Sequence, residues 1–111
     1  VAGLNRPTSV KIFGQKYKVK YVPVLEDEGT DLLGLTDSKT NTITVVSTLQ
    51  EDKMASVLMH EITHAIIDES TMSLRRRFGL EEVCDIVGYH VTNVLRDNPS
   101  IVEWILKEVE E

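Results

Sequence analysis

His60-Glu61-Ile62-Thr63-His64 is the stretch of this sequence whose residue types and spacing can do chemistry. Two histidines four apart on an α-helix leave the same face one turn from each other, so two imidazole nitrogens can meet one tetrahedral Zn²⁺. Glu61 lies about 100° round the helix from His60, near enough to hold a water beside the metal and angled off the ligand axis. Its expected role is general base, accepting a proton from a water whose pKa zinc lowers towards about 7. On the helical wheel both histidines sit away from the middle of the apolar stripe, which argues against their being core filler. The pattern is H-E-x-x-H, and its context is a segment with helical periodicity.

A catalytic zinc takes three protein ligands and leaves one position for water. The extended form H-E-x-x-H-x-x-G-x-x-H is excluded, because Ile67 and Ser70 stand where its glycine and third histidine belong. Downstream candidates are Glu81, Glu82, Asp85 and His90. With Glu81 set at zero on the wheel, Asp85, Gly88 and Thr92 fall within about 40° of it, while His90 lies about 180° away beside Val83, Ile86 and Val94. Glu81 is therefore the better-placed third ligand. Asp85, one turn on, is placed to accept the free N–H of His60 or His64 and so orient it. The acidic pair Glu81-Glu82 also suits a helix N-terminus through the dipole alone.

These residues need elements to position them. From Val10 to Val24, apolar residues set among lysines, with a turn over residues 13–16, predict one or two strands. A hairpin is predicted from Leu32–Thr36 and Thr42–Val46 around the polar turn Asp37–Asn41. Together these make a sheet over about residues 10–46. Thr48 and Glu51 have the spacing of a capping box, predicting a helix over about 49–68 whose buried side carries Met54, Ala55, Leu58, Met59, Ile62, Ala65 and Ile66. A second helix is predicted over about 80–97, with Val83, Val87, Val91, Val94 and Leu95 as its stripe, stopped by Asn98-Pro99. Ser100 and Glu103 suggest a further capping box and a last helix over about 101–110. The expected fold is α+β: one domain over residues 1–111, with a small antiparallel sheet of three or four strands packed on two long helices and braced by a C-terminal helix. Thr42–Val46 leads straight into the metal helix. Read as an edge strand, it would take an extended peptide alongside Thr42, Thr44 and Val46.

The hairpin Leu32–Val46, the run His60-Glu61-Ile62-Thr63-His64-Ala65 and the E-x-x-x-D of Glu81-Glu82-Val83-Cys84-Asp85 together resemble zincins of the ImmA/IrrE type. These are small cytoplasmic metallopeptidases of bacteria, phages and mobile elements. The resemblance covers about residues 31–97. It implies a His-His-Glu zinc site of His60, His64 and Glu81, with Glu61 as catalytic base. It also implies a regulatory protein, such as a DNA-binding repressor, as the substrate.

Composition bounds the reading. At 111 residues with 41% apolar and 27% charged, the chain has the make-up of one globular domain rather than a disordered or fibrous one. A net charge of −6 argues against nucleic acid as a partner of the whole surface. No apolar run nears the roughly 20 residues of a membrane span, and Val1–Asn5 lacks the pattern of a secretory signal. The lone Cys84 offers no internal disulfide, which fits a reducing, cytoplasmic setting. Arg75-Arg76-Arg77 reads as a solvated face, Tyr17, Tyr21 and Tyr89 as packing rather than oxyanion donors, and Trp104 as an anchor for the last helix. The expected activity is zinc-dependent endopeptidase. The other reading is a regulatory binding protein with a structural or vestigial zinc site, which would have no need of Glu61.

Overall fold

A computed structural model describes residues 6–70 and 79–109 of the chain. Strand β1 (Ser9–Ile12) turns back into β2 (Gln15–Val22) through Phe13-Gly14, both with positive φ, the mirror-image turn that suits a two-residue hairpin. A short hairpin of β3 (Glu26–Asp27) and β4 (Thr30–Asp31) follows, then β5 (Gly34–Asp37) and β6 (Thr42–Val46). Helix α1 spans Glu51–Glu69, α2 Leu80–Asp97 and α3 Pro99–Val109. The architecture is α+β.

The four-stranded sheet has the order β1-β2-β6-β5, and β2 pairs with β6 in parallel. It is therefore mixed, not antiparallel as the sequence suggests. The chain leaves the sheet after Val22, re-enters it as β5 on the far side, and returns through a tight hairpin to lay β6 between β5 and β2. An entry from that direction makes β6 parallel to β2. Alternation of apolar residues marks which face of a strand is buried and carries no record of which neighbour it meets. One consequence corrects the reading of Thr42, Thr44 and Val46: β6 is bonded on both sides and offers no free edge. The open edge on that side belongs to β5.

Val10, Ile12, Tyr17, Val19, Ile43 and Val45 point from the sheet into the core, where Met54, Leu58, Ile62, Ala65 and Ile66 of α1 meet them. The apolar side expected for α1 is thus the buried one. Its start differs: the N-cap is Gln50, with no side-chain hydrogen bond, and the Thr48/Glu51 box does not form. Glu51 instead accepts from the Arg6 guanidinium and from Trp104 Nε1 (3.2 Å), which ties the chain's beginning and α3 to the first turn of α1. The guanidinium holds its carboxyl below the usual range. Trp104 is buried, as its anchoring role requires.

Helix α2 packs by its C-terminal half. Of its described side chains only Val94 is buried, while Val83, Val87, Val91 and Leu95 are half-buried and Glu81, Glu82 and Asp85 exposed. Pro99 opens α3, as a proline with no N–H to satisfy can. The Ser100/Glu103 box is not used, and Glu103 pairs with Lys107. Asn98 does the joining. Its Nδ2 donates to Val94 O (2.8 Å) and Lys11 O (3.0 Å), and its Oδ1 accepts from Lys11 N (2.9 Å), so one buried amide links two helices to β1. Among the described residues no helix is long and apolar enough to cross a membrane. The Arg75-Arg76-Arg77 run lies outside the described residues.

Candidate functional site

His60 and His64 stand on the exposed side of α1, and their Nε2 atoms are 3.2 Å apart with the rings inclined at 72°. Two nitrogens each about 2.0–2.1 Å from one tetrahedral zinc stand about 3.3–3.4 Å from each other. The pair thus holds nearly the separation a shared ion requires. The same distance suits an Nε2–H of one neutral ring donating to the bare nitrogen of the other. As donors for zinc, two imidazoles fit in type and spacing.

Glu61 is the surprise of the site. Although charged, it is 6% exposed, wedged between α1 and β5. The Thr36 hydroxyl lies 2.7 Å from Glu61 Oε1 and 2.9 Å from Glu61 O, donating its single hydrogen to one of them at a time. Oε2 has no hydrogen-bond partner among the described residues and faces Gly34. A β-carbon on Gly34 would stand 3.0 Å from Oε2 and 2.7 Å from Val57 Cγ1, so β5 can lie this close to the helix only with glycine there. Thr36 and Gly34 were not singled out in the sequence. Gly34 did carry a signal, since an isolated glycine in a strand pattern often marks close approach of backbone or ligand. Thr36 carried only its two-residue spacing from Gly34, which puts both on one side of the strand.

A cleft of about 320 Å³ opens where β5 meets α1, lined by Leu33, Gly34, Lys53, Ser56, Val57, His60 and Glu61. Val46 N donates to Leu33 O, so by antiparallel alternation the N–H and C=O of Gly34 and Thr36 point away from β6. The open edge therefore borders the cleft that contains His60 and Glu61.

Helix α2 does not bring a third ligand to the histidines. Glu81 and Asp85 are exposed, and no group of three His, Cys, Asp or Glu that could hold a metal occurs among the described residues. Glu82 caps its own helix, accepting from Gly79 N at 3.1 Å. His90 stacks on Phe13, ring centroids 4.1 Å apart, away from the site, in keeping with its wheel position. The Tyr17 hydroxyl donates to Glu69 Oε2, with its pKa pushed up to about 12 by burial, and Tyr21 donates to Pro7 O. Both are structural. Tyr89 is 67% exposed, so the reading of it as packing does not hold. No protein-family model, curated protein or solved structure matches the chain.

Proposed function

We propose that the chain is a cytoplasmic zinc-dependent metalloendopeptidase with a minimal zincin-like arrangement, acting on a protein or peptide substrate of regulatory, repressor-like character. One observation carries the reading: two imidazole nitrogens converge at 3.2 Å beside a buried glutamate that a threonine orients, on a cleft bordered by an open strand. A binding protein has little use for a carboxylate held in this way. Burial of Glu61 with no ion pair among the described residues is costly, and functional sites are where such a cost is tolerated.

His60 and His64 are the proposed ligands, and Glu81 the proposed third, with Asp85 to orient a histidine. Glu81 can serve only where the first turns of α2 lie against α1. Zinc, when bound, supplies the Lewis acidity that makes water a nucleophile near neutral pH. The chain's own part begins with the substrate, which pairs with the Gly34 and Thr36 backbone groups and so lays an extended peptide across the cleft. Thr36 holds Oε1, leaving Oε2 to accept the proton of the attacking water. As the carbon–nitrogen bond breaks, Glu61 returns that proton to the leaving amine.

The test has two parts. Purified chain supplied with zinc should bind about one equivalent, the His60→Ala and His64→Ala variants none, and Glu61→Gln as much as the parent. Incubated with a proteome-derived peptide library, the zinc-loaded chain should generate new termini that Glu61→Gln does not. Metal binding without cleavage would favour the binding-protein reading, and failure to bind zinc would refute both. For the third ligand, Glu81→Ala should weaken zinc affinity far more than Glu82→Ala, with Asp85→Asn between them.

A further inference from the structure

The side of the main sheet turned away from the helices has a composition unlike the rest of the chain. Lys11, Lys16, Lys18 and Lys20 project from it and are exposed, while Thr42 and Thr44 beside them are half-buried, so no described element covers it. Among the described residues none of the four ammonium groups has a carboxylate within ion-pairing distance. Among the four strands of the main sheet, Asp37 is the acid on this side, at the far strand, and it accepts from Lys39 N. Lys11 and Lys16 are direct partners across β1 and β2, at a position where side chains come closest, and like charges so placed destabilise a sheet. A hollow of about 640 Å³ lies against Lys16 and Lys18, walled by Ser9, Thr40, Asn41 and Thr42. In a chain of net charge −6, uncompensated repulsion concentrated on one surface is a cost that an anionic ligand would relieve.

We propose that this lysine face docks an acidic, extended segment of a protein partner with carboxylates at alternate residues. Lys16, Lys18 and Lys20 repeat at roughly 6.7 Å along β2, and alternate side chains of an extended peptide repeat at the same spacing. The strip is about 13 Å long, against a Debye length of about 8 Å at physiological salt. A short segment laid along it therefore feels mainly the lysines it touches. Nucleic acid fits less well: among the described residues the face carries no arginine to fork onto phosphate and no aromatic ring to stack a base. The cross-strand row Lys20–Thr44–Leu35 leads from the lysines to the open strand β5, where Leu33 and Leu35 are exposed. A docked partner would thus be handed toward that edge.

The docking does not depend on the peptidase reading and is tested with chelator present. The full chain is titrated by fluorescence anisotropy against three labelled probes: a dodecapeptide alternating Asp and Ser, a block peptide of the same composition, and a twelve-nucleotide oligothymidylate. The alternating peptide should bind most tightly, weaken at least tenfold from low to moderate salt, and weaken at least tenfold in Lys16→Glu/Lys18→Glu/Lys20→Glu, while Lys107→Gln leaves it unchanged. Lys18→Gln/Lys20→Gln serves if the triple variant does not fold. Tighter binding of the oligonucleotide would make this a nucleic-acid surface and overturn the proposal. So would equal binding of the block peptide, no binding of any probe, or self-association of the parent chain that the lysine variants abolish, which would assign the face to the acidic β3–β4 hairpin of a second copy.

Discussion

Gly34→Ala tests how closely β5 lies on α1. The added carbon would sit 2.7 Å from Val57 Cγ1, against an ordinary carbon–carbon contact of about 3.5–4.0 Å. Valine in a helix has essentially one χ1 rotamer, so it cannot swing aside, and strand and helix must part by close to 1 Å. Overpacking of this kind costs about 1–3 kcal/mol, offset by about 0.4–1 kcal/mol from the stiffer unfolded chain. A net loss of roughly 1–2 kcal/mol corresponds to a fall in Tm of roughly 4–12 °C for a domain of this size. Urea unfolding of Gly34→Ala, Val57→Ala and the double variant isolates the clash. Removing Cγ1 relieves the closest contact and leaves those with Glu61 Cγ and Oε2 at 3.0 Å, so the double variant should be more stable than the sum of the single losses by at least about 0.5 kcal/mol. Additivity within the error of the cycle would show that the two atoms do not meet, and the account of Gly34 would fall.

Other changes probe the same framework. Thr36→Val removes the donor to a buried carboxylate and should cost about 1–3 kcal/mol, with Thr36→Ser retaining most of the stability; equal stability of Val and Thr by urea unfolding would mean that the hydroxyl is not bonded to Glu61. Glu51→Gln should cost about 1 kcal/mol at neutral pH, a small figure because Arg6 is partly exposed. Since the folded-state pKa of Glu51 lies below its unfolded value, this advantage is present above the unfolded pKa and lost as pH falls through the folded one. A stability difference undiminished at pH 2 would contradict that sign. Thr44→Pro deletes a bond from β6 to β5 in the sheet interior and should cost about 3 kcal/mol or more, measurable as loss of cooperative thermal unfolding. A folded Thr44→Pro chain would restore β6 as an edge.

What sequence conveys here is local. The helical period places His60, Glu61 and His64 on α1, and the polar turn before the alternating Thr42–Val46 marks a hairpin with β5. The cap expected from Ser100/Glu103 fails because α3 already begins at Pro99 and takes Ser100 into its first turn, and the one from Thr48/Glu51 fails because Glu51 has partners elsewhere. Glu51 goes to Arg6 and Trp104, which are far away along the chain. The parallel pairing of β2 with β6 follows from the path of the chain between them, which no periodicity within either strand encodes. The stripe of α2 is legible as helix, yet its first half finds little to pack against among the described residues, so wheel geometry alone could not bring Glu81 to the histidines.

Asn98 has a consequence for how copies of this chain can meet. By the alternation in β1, Lys11 turns its N–H and C=O outward, and the Asn98 amide takes both. The outer strand β1 is plugged at its middle, leaving β5, of equal length, as the border whose outward backbone groups no described residue takes. A sheet with two open borders can add copies at both ends and grow into a fibril; a sheet with one can only pair, two β5 strands meeting about a two-fold axis. Seen in this way, Asn98 is a chain terminator. Its replacement by alanine would cost stability and would also turn a monofunctional unit into a bifunctional one, shifting the end-point of self-association from a closed pair to a linear polymer.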